Sequence, residues 1–68
     1  MIKYIVAFRP GTSDDFIDEA AKKIEENGGQ IKRRFESLPG FEIEVPEGFE
    51  MEPVADYPGV QSIEPADV

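Results

Sequence analysis

The chain has 68 residues, 15 of them acidic and 7 basic, for a formal charge of −8, and it contains neither cysteine nor histidine. That length holds a single domain, residues 1–68, burying only roughly 60% of the surface its unfolded chain exposes. Without cysteine there is no disulfide or thiolate metal site, and without histidine every Ser-His or Cys-His nucleophile pair is gone, so a non-enzymatic protein with no metal or cofactor is expected.

Ile2 to Phe8 alternates in the manner of a strand, with Ile2, Tyr4, Val6 and Phe8 on one face and Ile5 and Ala7 on the other. Two largely apolar faces predict a central strand. No basic segment and cleavage site precede it, and no apolar run approaches membrane-spanning length; with cysteine absent, a cytoplasmic setting is expected. The acidity sets the chain against nucleic-acid phosphates and anionic membrane surfaces, and its simplest use is solubility. Arg9-Pro10-Gly11 ends the strand.

Thr12 to Asn27 is predicted to be a helix. Thr12 or Ser13 caps it, Asp14 and Asp15 suit its first turn, and Phe16, Ile17, Ala20, Ala21 and Ile24 form one apolar stripe. Asn27-Gly28-Gly29 stops it with a left-handed exit. This Gly-Gly pair ends a helix instead of opening one, so it is no phosphate cradle.

Gln30 to Val45 reads as two strands joined by a tight turn at Leu38-Pro39-Gly40. Alternation puts Ile31, Arg33 and Phe35 on one face of the first strand, and Phe41, Ile43 and Val45 on one face of the second. Pairing Phe35 with Phe41 sets Arg34 opposite Glu42 and Lys32 opposite Glu44 on the wet face, a favourable charge pattern. These four residues are either a solvated face or a docking surface. Glu42 and Glu44 form no calcium-loop spacing, and Lys32-Arg33-Arg34 is too short a basic run for a nucleic-acid patch.

Pro46-Glu47-Gly48 breaks the strand. Phe49, Met51, Val54 and Tyr57 fit one side of a helix of one or two turns, since Pro53 is tolerated only in the first turn. Val60 to Glu64 is a last short strand, which Pro65 ends or marks as an edge. The order strand, helix, strand, strand, helix, strand, with right-handed crossovers, gives an α+β ferredoxin-like βαββαβ sandwich. A four-stranded antiparallel sheet then carries both helices on one face. Phe8, Phe16, Ile24, Phe35, Phe41 and Ile43 are expected to share its core. On composition the C-terminal SIEPADV reads as a frayed end.

Four stretches together resemble the subtilisin propeptide family and the related fungal proteinase B-type inhibitors. They are Lys3-Tyr4-Ile5-Val6-Ala7-Phe8, Ile24-Glu25-Glu26-Asn27-Gly28-Gly29-Gln30-Ile31, Gly40-Phe41-Glu42-Ile43-Glu44-Val45-Pro46 and Pro58-Gly59-Val60-Gln61-Ser62-Ile63-Glu64. The resemblance spans nearly the whole chain in order. It implies the same sandwich fold and inhibition of a subtilisin-like serine protease by a protein that is a monomer when free. In that family the free sheet face packs on two protease helices, acids at the end of the last strand cap those helices, and the tail lies in the substrate cleft. Glu64 matches the first capping acid. At the second capping position this chain has Ala66, with Asp67 one residue later, and Pro65 stands where the family carries an acid. The tail stops at Val68, short of the primary specificity pocket. The partner-binding residues implied are Ile63, Glu64, Pro65, Ala66, Asp67 and Val68, with Lys32, Arg34, Glu42 and Glu44 on the sheet. A non-inhibitory interaction module, or a propeptide-like folding assistant on the same fold, remains the alternative.

Overall fold

Alternating apolar residues make Ile2–Phe8 strand β1, and in the computed structural model, which describes residues 1–35 and 37–66, β1 is central to the sheet. It is followed by α1 (Asp14–Glu26), β2 (Gln30–Arg34), β3 (Gly40–Val45), α2 (Glu52–Ala55) and β4 (Val60–Pro65). The strands form one antiparallel sheet in the order β2-β3-β1-β4. This is the α+β ferredoxin-like arrangement expected of the element order.

One face of the sheet is dry. Val6, Phe8, Phe41, Ile43 and Val45 pack there against Ile17, Ala20 and Ile24 of α1 and Val54 of α2. Phe8 and Phe41 meet edge to face, ring centres 5.5 Å apart, the geometry that aromatic quadrupoles favour. Phe49, Met51 and Tyr57 close the core from around α2, a single turn with Pro53 at its start.

Helix α1 ends in a Schellman motif. The Gly29 N–H donates to the Ile24 carbonyl (2.9 Å) and the Gly28 N–H to that of Glu25 (3.1 Å), while Gly28 takes φ 98°. Gly40 has a different task. It opens β3 opposite Ala7, and a Cβ there would overlap the Val6 carbonyl oxygen and come within 3.2 Å of the Ala7 Cα.

Two residues expected in the core lie outside it. Phe16 is 43% exposed, because it sits about 100° round the helix from Ile17, at the margin of the buried stripe. Phe35 is only half-buried and belongs to the opposite side of the sheet, for a reason that lies in the hairpin. The register there is Gln30–Glu44, Ile31–Ile43, Arg33–Glu42 and Arg34–Phe41, with a bulge between Ile31 and Arg33. Lys32 and Arg33 together oppose Glu42, so beyond Lys32 every side chain changes face. The expected pairs Phe35–Phe41, Arg34–Glu42 and Lys32–Glu44 are therefore not made. The connection is also wider than a tight turn, since the Phe35 N–H donates to the carbonyl of Gly40, where β3 begins (3.0 Å).

Both edge strands are irregular. Besides the Lys32 bulge in β2, β4 shifts register against Ala7/Phe8. The Ala66 N–H donates to the Lys3 carbonyl (2.9 Å), so alternation turns the Pro65 nitrogen, which has no hydrogen, outward.

Candidate docking face and C-terminal strand

Because both helices take one side of the sheet, the other is left open, and register arranges it in three rows. The first runs Gln30, Glu44, Lys3, Ala66; the second Arg33, Glu42, Ile5, Glu64; the third Phe35, Gly40, Ala7, Ser62. In the first row Lys3 Nζ stands 3.8 Å from Glu44, beside the neutral Gln30. In the second, Arg33 opposes Glu42 and its guanidinium lies 5.9 Å from the centre of the Phe35 ring, in cation–π range. Ile5 stands between Glu42 and Glu64. The third row is short-chained apart from Phe35.

The predicted site residues divide accordingly. Glu42, Glu44 and Glu64 are on the open face, as expected. Ile63 opposes Val6 and packs on the core, so it anchors β4, and Pro65 falls on the same side. Lys32 is the bulge residue at the exposed edge. Asp67 and Val68 lie outside the described residues. Arg34 is a correction: the bulge turns it to the helix side, where its guanidinium donates to Asp18 (2.6 Å) and lies 4.0 Å from Asp14. It ties β2 to α1 and is not part of the open face.

That tie is half-exposed, so its contribution is modest. Arg34→Gln is expected to lower stability by about 0.5–1 kcal/mol, a loss that shrinks in high salt. Urea unfolding at low and high ionic strength checks this; an unchanged midpoint at low salt would detach Arg34 from α1.

Lys3, Ile5, Ala7, Arg33, Phe35 and Ser62 belong to the open face and were missed as site residues. The signal for Arg33 was present: strict alternation placed an arginine between Ile31 and Phe35 on the dry face, where an unpaired cation is not tolerated.

On the helix side, a cleft of about 580 Å³ separates α1 from α2, floored by Ala20 and Val54 and walled by Phe49, Pro53 and Tyr57. The Tyr57 hydroxyl donates to Glu19 (3.1 Å). Loss of water around the phenol, that hydrogen bond and the charges of Glu19 and Glu26 all push its pKa above the usual value. Among the described residues, no group of three or more metal-ligating side chains converges, and no helix is long and apolar enough to cross a membrane. No family model matches the chain, and no curated protein or solved structure matches it significantly.

Proposed function

We propose that this chain is a protein inhibitor of subtilisin-like serine proteases, docking by its open sheet face and presenting the residues after Glu64 to the substrate cleft. The observation that carries the reading is the end of β4. Glu64 is exposed on the uncovered face, Ile63 beside it is anchored in the core, and the ladder holds the chain as far as Ala66. A carboxylate on so firm a base suits a helix N-terminus of a partner, which offers unpaired N–H groups and partial positive charge. Pro65 and Ala66 leave the sheet still in register with β1, and an extended strand is what a substrate cleft binds. The four-part sequence resemblance to the subtilisin propeptide and fungal inhibitor families supports the same partner class.

Inhibition constants against a panel of subtilisin-like proteases test the proposal. Glu64→Gln is expected to weaken inhibition several-fold, the equivalent of about 0.5–2 kcal/mol, with an unchanged unfolding midpoint. Shortening the chain to end at Glu64 removes one ladder hydrogen bond, so it should lower stability by only about 1 kcal/mol while lowering inhibition more. If no protease is inhibited, or if parent, substitution and truncation inhibit alike, the reading gives way to a non-inhibitory interaction module.

A further inference from the structure

We infer that the open sheet face is self-complementary and that two copies of this chain associate through it, face to face, about a two-fold axis parallel to the strands. Charge placement carries the inference. The ion pairs within 4.0 Å among the described residues are Lys3–Glu44, Arg34–Asp18 and Arg34–Asp14. Arg33 and Glu64 are in none of them, and they stand at opposite ends of one row, on the two edge strands. A two-fold axis along the strands lays β2 of one copy over β4 of the other and keeps each row over itself. Arg33 then meets Glu64 of the second copy, twice by symmetry. Glu44 meets Lys3 of the second copy, Glu42 lies over Ile5, Phe35 over Ser62, and Gly40 over Ala7.

The competing arrangement fails on the same grounds. An axis across the strands lays β2 over β2 and β4 over β4, bringing Arg33 onto Arg33 and Glu64 onto Glu64. Aligned stacking about 10 Å apart is the ordinary way for two sheets to pack. Four strands of about five residues offer a footprint of only ~350 Å² per copy, below the ~800 Å² per partner of a stable complex. The dimer is therefore weak and forms at high concentration. This inference does not depend on the protease reading, but a protease docked on the same face would displace the second copy.

Sedimentation equilibrium of the full chain up to about 1 mM, with no protease present, tests it. The parent is expected to show a reversible monomer–dimer equilibrium. Arg33→Glu alone and Glu64→Arg alone each place like charges together twice, and each should weaken association at least about tenfold. Mixing the two variants should restore it, because the mixed dimer regains one native pair and gains one reversed pair. Circular dichroism of each variant establishes that it is folded. A parent that remains monomeric at the highest concentration overturns the inference. So do single variants that dimerise like the parent, or a folded mixture that associates no better than its components.

Discussion

Phe41→Ala is expected to cost about 3–5 kcal/mol and to move the urea midpoint far below the parent's. Phe41 is fully buried, lies edge to face on Phe8, and sits in the strand that joins β1 to β2. A domain of this size has a total stability of only about 3–10 kcal/mol, so losing this ring removes a large share of it. The neighbouring elements cannot collapse into the space without breaking the β1–β3 ladder. Phe16→Ala is the matched control. Its ring is 43% exposed, and its removal should cost under about 1 kcal/mol. Urea unfolding followed by circular dichroism separates the two; equal midpoints would mean that the core does not centre on Phe41.

Gly40→Ala should be the most damaging small substitution in the chain. The added Cβ would meet backbone atoms of the central strand, the Val6 carbonyl oxygen and the Ala7 Cα, and neither can rotate away as a side-chain end can. Relief requires the start of β3 to move off β1. The hydrogen bonds from Phe8 N–H to the Pro39 carbonyl (2.8 Å) and from Phe35 N–H to the Gly40 carbonyl are anchored at that point. A loss of about 1–3 kcal/mol is expected, lowering the melting temperature by about 10 °C in a chain of this length. Gly11→Ala serves as comparison: it shares a positive φ but has open space around its Cβ position, so its cost is conformational alone. A Gly40→Ala chain melting with the parent would show that β3 can shift freely at its first residue.

The element order was legible because each element carries its own period: two for Ile2–Phe8, and three to four for Ile17, Ala20 and Ile24. The helix exit was legible because Gly28 and Gly29 have one good use at that position. The site is less legible, because of one residue. A bulge leaves no periodic mark, since the pattern on either side of Lys32 is regular, and extending the alternation through it put Arg34 and Phe35 on each other's faces. The partners that fix Arg34, Asp14 and Asp18, are far from it in sequence and become neighbours only once α1 is laid on the sheet. Phe16 has a different cause: its side of the helix stripe is wider than a core facing a single-turn α2 can cover. Glu42, Glu44 and Glu64 were placed correctly because β3 and the β4 end hold strict alternation.

The interruptions in the two edge strands bear on how crowded a solution of this protein can become. An edge with an unbroken row of outward N–H and C=O groups invites another chain to add a strand, and then another, toward fibrils. Here the β2 edge is kinked at Lys32, which also brings a charge to the rim. The β4 edge presents at Pro65 a nitrogen with no hydrogen to give. Incoming strands find neither edge a straight template, so lateral growth of the sheet is blocked at both ends while its broad surface stays available. Amyloid assembly should therefore require the fold to open first, and Pro65→Thr, which restores an outward donor, is the single change most suited to lowering that barrier.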